Sequence, residues 1–173
     1  MEATKSSRIA IVPGSFDPIT YGHLDIVKRA SEQYDKVYLA VMINREKKYL
    51  LSLEQRKELA ELSVRALEIP NVEVISSEGM LWMLARDLDA SAIVKGYRNQ
   101  TDYDYEIKMA EYNTAHYPAA KTVLLEAKSN LSGVSSTLVR ERISQGRSLG
   151  DWMPREAETA IYRFLSHKDS CSK

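Results

Sequence analysis

"IAIVPGSFDPITYGH", residues 9–23, decides how this chain folds. Ile9, Ala10, Ile11 and Val12 form the short unbroken apolar run of a strand buried on both faces. A turn built from two prolines, two glycines, Asp17, hydroxyl side chains and one histidine stops that run at once. Leu24, Val27, Ala30 and Tyr34 then recur at helical spacing, with Asp25, Lys28 and Glu32 on the opposite, outward side. Gly14 permits a sharp bend, Pro18 stiffens the loop, and Gly22 brings His23 onto the first helical turn, beside the strand end that carries Ser15. A hydroxyl and an imidazole then face the same point. Position alone leaves open whether that imidazole is functional or a solvated turn residue.

The same unit repeats along the chain. Apolar, β-branched runs at 8–12, 36–43, 71–75, 90–94 and 121–125 are each followed by a segment of helical spacing. Ser52 with Gln55 three residues on is a capping-box start for a second helix, and Pro70 lies beyond its end. "MLWMLARDL" supplies a third helix, and a fourth begins at Thr101 as cap. A fifth runs from about 136 to 145, where Gly146 ends it, and a sixth opens at Pro154 and continues to about 166. Strands alternating with helices require right-handed crossovers. The expected fold is therefore α/β: a single Rossmann-like domain over residues 1–173, with a parallel five-stranded sheet, helices on both faces and a frayed tail at 167–173.

Composition limits the function classes. At 173 residues and 44% hydrophobic, the chain fills one core comfortably. Lys and Arg balance Asp and Glu at 24 each, so no global field draws it to nucleic acid or an acidic membrane, and cationic chemistry must be local. The single cysteine, Cys171, excludes an internal disulfide framework and a cysteine-based metal site, which fits a reducing cytoplasm. No stretch has the length and apolarity of a membrane span or a signal peptide.

In an open α/β sheet, ligands bind beyond the carboxyl ends of the strands. Here those connections read "PGSFDPITYGH", "NREKKYL", "SSEGML", "KGYRNQTD" and "KSNLSGVSST", and four of them are rich in glycine, hydroxyls and basic residues. That mixture suits phosphate: N–H groups at helix starts, small residues allowing close approach, and compensating cations. No Cys–His or Ser–His–Asp series accompanies them, so no covalent nucleophile is indicated.

"PGSFDPITYGH" resembles the first signature of the nucleotidyltransferase superfamily, [HT]-x-G-H, and "GVSSTLVR" resembles its second. The Ser-Phe-Asp-Pro-Ile-Thr context, "KGYR" and "DYDYE" are similar to the phosphopantetheine adenylyltransferase family in particular, across nearly the whole chain. The resemblance implies reversible transfer of AMP from ATP to 4′-phosphopantetheine, giving dephospho-CoA and pyrophosphate on the route to CoA. It also implies Mg²⁺ held by phosphate oxygens and water, with no metal ligands from the protein, and a homo-oligomer, hexameric in the family.

Carried onto this sequence, the resemblance has Ser15 hold the acceptor phosphate, Phe16 offer its N–H to ATP, and His23 donate to the α-phosphate as charge builds there. Lys47 would bridge acceptor and α-phosphate, although Arg45, Lys47 and Lys48 also describe a solvated charge run. Leu81 and Asn113 would line the pantetheine arm. Lys95 would meet the acceptor phosphate in place of the family's Arg, keeping the charge and losing the bidentate fork. Gly96, Tyr97 and Arg98 would contact ATP, with Arg98 on the leaving pyrophosphate, and Glu106 would contact the ribose. Leu131, Ser132, Gly133 and Val134 would border the nucleotide. Ser135, Ser136 and Thr137 would hold β- and γ-phosphate oxygens through hydroxyls and free N–H groups, with ordinary capping as the alternative for any one of them. Other phosphate acceptors, or nucleotide binding without turnover, are the competing readings.

Overall fold

A computed structural model describes residues 7–170; Cys171 and the rest of the tail to 173 lie outside the described residues. Strand β1 (Ile9–Gly14) leads into α1 (Tyr21–Gln33), β2 (Lys36–Met42) into α2 (Leu53–Ala66), and β3 (Val72–Ser77) into α3 (Leu81–Asp87). Strand β4 (Ala92–Tyr97) leads into α4 (Gln100–His116), and β5 (Lys121–Glu126) into α5 (Ser136–Ser144) and α6 (Arg155–Ser170). All pairings are parallel, in the order β3-β2-β1-β4-β5. The chain therefore reverses its direction of travel across the sheet beside β1, and the tips of β1 and β4 flank the switch point.

Alternation along the strands divides the core in two. Ala10 and Val12 of β1 with Val37, Leu39 and Val41 of β2 pack on one face against Leu24 and Val27 of α1, Leu59 and Ala60 of α2, and Ala157 and Ile161 of α6. Ile11, Ala40 and Ile93 face the other side, against Ala85, Leu84 and Leu88 of α3 and Tyr117 beyond α4. Helices cover both faces, as the sequence implies.

The structure corrects four local expectations. Asn99, not Thr101, caps α4, because its side chain accepts the Asp102 N–H at 2.9 Å. Asp25 does not face outward: its carboxylate is only 8% exposed, enclosed by Arg29 at 3.3 Å and Lys128 at 2.6 Å. Helix α6 extends to Ser170 and takes in part of the segment expected to fray, since no glycine or proline interrupts it. Strands β1, β3 and β4 run about two residues past their apolar runs, to Gly14, Ser77 and Tyr97.

Candidate active site at the strand tips

A crevice of about 550 Å³ opens at the switch point. Gly14, Phe16, Gly22 and His23 line it from the first turn, Lys47 from the β2–α2 loop, and residues 95–98 from the tip of β4. Thr101, Asp102, Tyr105 and Glu106 of α4 form one wall, and Leu131 and residues 134–137 the opposite one. His23, Lys47, Arg98 and Ser136 thus share one cavity although they are scattered along the chain.

The turn that carries His23 is held from several sides. Phe16 adopts a positive φ of 48°, a backbone conformation that side-chain-bearing residues seldom adopt, and its buried ring packs edge-on against His23 at 5.1 Å. The Asp17 carboxylate, 4% exposed, accepts the N–H groups of Leu50 and Leu51 at 2.8 and 3.0 Å. Arg140 of α5 donates to the Asp17 carbonyl at 2.7 Å, and the Ser136 hydroxyl to the Pro18 carbonyl at 2.8 Å. These bonds seat the N-terminus of α5 against the first turn.

His23 occupies the third position of α1 and completes a capping box with Thr20: its Nδ1 accepts the Thr20 N–H at 3.0 Å. An accepting Nδ1 carries no proton, so the neutral ring carries its N–H on Nε2. Burial, then the charges of Arg98 and Lys95, pull the imidazole down from its ordinary 6.5 to about 4. His23 is therefore a neutral hydrogen-bond donor near pH 7 and a poor proton acceptor. Because its folded pKa is depressed, the stability it contributes is complete above about pH 6.5 and is lost as pH falls towards 4. In a ¹⁵N-resolved titration the ring is expected to remain the Nε2–H tautomer from pH 5 to 8, changing state with a midpoint near 4. A midpoint above 6 would contradict this.

Two of the crevice cations already have carboxylate partners. Lys95 Nζ lies 3.0 Å from Glu106, and Arg98 Nε lies 3.0 Å from Asp102 in the first turn of α4. Tyr97 packs edge-on against Tyr103 at 5.0 Å, giving this bulky side chain a partner on α4.

The hydroxyls of the last loop are more occupied than their sequence suggests. Ser135 Oγ caps α5 by accepting the Leu138 N–H, Ser136 Oγ donates to Pro18, and Thr137 Oγ1 accepts from Arg140. What this loop offers an anion is its backbone together with the hydroxyl protons of Ser135 and Thr137, whose oxygens only accept here: the N–H groups of Ser136 and Thr137 open α5, where no intrahelical carbonyl reaches them and the helix dipole favours negative charge.

Not every candidate meets the crevice. Ser15 is adjacent to it, with its hydroxyl 3.5 Å from that of Tyr49. Leu81 packs into the second core cluster, Asn113 is buried within α4, and Ser132 and Gly133 stand outside the lining. The sequence singles out no individual role for Asp17, Thr20, Tyr49, Arg56 or Arg140. Asp17 and Thr20 sit inside the quoted motif and read there as turn formers; Arg56 lies one residue past Gln55 in the helix that Ser52 opens.

The chain is 42% identical, over 147 residues, to the phosphopantetheine adenylyltransferase of Caldanaerobacter subterraneus subsp. tengcongensis, covering 85% of this chain and 91% of that one. The chain belongs to the phosphopantetheine adenylyltransferase family. The broader cytidylyltransferase-like family matches residues 11–142, from β1 to α5. Among solved structures, a candidate nicotinate-nucleotide adenylyltransferase from Vibrio parahaemolyticus superposes with a TM-score of 0.71 over 91% of this chain and 93% of its own, at 18% identity, which establishes the shared fold. Within this member of the phosphopantetheine adenylyltransferase family, a second groove of about 520 Å³ between α2 and α6 shares no lining residue with the crevice. Among the described residues no helix is long and apolar enough to cross a membrane.

Proposed function

We propose that the crevice transfers AMP reversibly from ATP to 4′-phosphopantetheine, yielding dephospho-CoA and pyrophosphate. The observation that carries this reading is a neutral imidazole bearing its proton on Nε2, in one cavity with Lys47, Lys95, Arg98 and the amino end of α5. The family named above supports the choice of substrates.

The chemistry needs positioning and charge stabilisation. An acceptor phosphate oxygen, already ionised, attacks the α-phosphorus in line; the new P–O bond forms as the bond to the β-phosphate oxygen breaks, and pyrophosphate departs with the electron pair. No side chain has to remove a proton, which suits a histidine whose pKa is about 4. His23 donates from Nε2 to an α-phosphate oxygen and holds it more strongly as its charge grows. Lys47 and Lys95 draw in the acceptor phosphate, while Arg98 and the N–H groups of Ser136 and Thr137 receive the β- and γ-phosphates. Glu106 faces the ribose hydroxyls.

Mg²⁺ supplies charge neutralisation on the triphosphate. Glu106 and Asp102, the carboxylates in the crevice lining, are each bound to a cation, so the ion would be held by phosphate oxygens and water. We also read the enzyme as cytoplasmic and homo-oligomeric, hexameric as in the family; exposed Met83 on α3 and Met109 and Tyr112 on α4 support an intersubunit face there.

Incubation with ATP, Mg²⁺ and 4′-phosphopantetheine is expected to release pyrophosphate, with nicotinate mononucleotide and glycerol 3-phosphate inert. Turnover of either of those instead reassigns the acceptor. ATP binding with no pyrophosphate from any acceptor reduces the protein to a binding module.

A further inference from the structure

The acceptor side of the crevice stands on a buried charge that the chemistry does not use. Arg56 of α2 is 1% exposed, yet among the described residues no carboxylate is bonded to its guanidinium. Its NH1 group donates to the Ser15 carbonyl at 2.6 Å and to the Met42 carbonyl at 3.0 Å, joining the first turn to the end of β2. The guanidinium lies 4.0 Å from the centroid of the Tyr49 ring, and its Nε has no hydrogen-bond partner among the described residues. Tyr49 in turn closes the loop that carries Lys47: its phenolic oxygen accepts the Asn44 N–H at 2.6 Å and donates to the Asn44 carbonyl at 3.2 Å. The same oxygen is 3.5 Å from Ser15 Oγ. Neither Arg56 nor Tyr49 lines the crevice.

A buried guanidinium is costly to desolvate, and one serving only the core would be replaceable by an apolar side chain. Its two carbonyl acceptors and its aromatic partner belong instead to the two segments that bring Ser15 and Lys47 to the acceptor side. We propose that Tyr49 and Arg56 form a positioning pair that fixes the Lys47 loop against the Ser15 turn and so sets affinity for the acceptor phosphate. The pair acts through Ser15 and Lys47 and touches no substrate. It rests on the reading of those two residues as acceptor ligands.

Tyr49→Phe tests it, because the ring stays over Arg56 and only the phenolic oxygen is lost. The Michaelis constant for 4′-phosphopantetheine is expected to rise about fivefold, as for one lost hydrogen bond, with that for ATP and kcat changed less than about twofold. Amide exchange at Asn44 is expected to quicken by a similar factor of about five, since its acceptor is gone. Tyr49→Leu, which also removes the ring, should raise the acceptor constant further, to about tenfold or more. Unchanged exchange at Asn44 overturns the tie itself. Faster exchange with an unaltered acceptor constant, or with both substrate constants raised equally, overturns the positioning role. Lys47→Ala, assayed alongside, separates the two readings: if it too leaves the acceptor constant unchanged, the assignment of Lys47 is at fault, and if it raises that constant, only the Tyr49–Arg56 pair is.

Discussion

His23→Ala is expected to lower kcat on the order of 10²–10³-fold, the loss that follows removal of one donor aimed at developing charge. The substitution also deletes the acceptor for the Thr20 N–H, so about 1 kcal/mol of stability should go with it. His23→Gln separates the two effects, because glutamine at the third helical position can complete the same capping box. That variant should recover most of the lost melting temperature while kcat remains low, its amide lacking the reach and fixed direction of the imidazole Nε2–H. Near-wild-type turnover in His23→Ala, within about threefold, would remove the imidazole from the reaction. Between pH 6 and 8 the wild-type profile of kcat/KM, which reports the free enzyme, should show no limb from His23, because its pKa there is about 4.

Gly14→Val should be the next most damaging change. A β-carbon at Gly14 falls 2.8 to 3.1 Å from three atoms of the Phe16 ring, closer than packed carbons approach. Phe16 is 4% exposed and stands edge-on to His23, so the ring can yield only by moving the imidazole's neighbour. Overpacking of this kind costs about 1–3 kcal/mol. Displacing the donor by a fraction of an ångström should reduce kcat by about 10- to 100-fold. The expected signature is a chain that still folds, with a lowered melting temperature, and turns over far more slowly. Activity within twofold of wild type would mean that Phe16 does not hold His23 in place.

Most of the architecture is legible in short-range pattern. The apolar runs mark all five strands, the Ser52–Gln55 pair marks the start of α2, and the first motif puts His23 on the opening turn of α1. What escapes the sequence is set by partners distant along the chain. Asp25 reads as an outward charge until Lys128, from the β5–α5 loop, closes over it. The Ser136 hydroxyl donates to the Pro18 carbonyl, 118 residues back along the chain, a partner that no local pattern announces. Asn99 and Thr101 are both competent caps, and only the geometry of the turn leaves the first within reach of the Asp102 N–H. Strand ends are underestimated because glycine and polar residues at the tips still join a parallel ladder when a neighbouring strand is in register, as Gly96 with Leu125 and Tyr97 with Glu126. Those tips are where the crevice begins.

Glu106 and Asp102, facing Lys95 and Arg98, offset two of the three cationic side chains that line the ligand-free cleft, Lys47 being the third. An incoming polyphosphate therefore enters by partner exchange: it displaces carboxylates from cations that already have a counter-ion. Attraction at a distance is weak under such conditions, and capture depends on short-range fit. Nucleotide association should accordingly vary less with added salt than at a site where all three cations faced solvent without counter-ions.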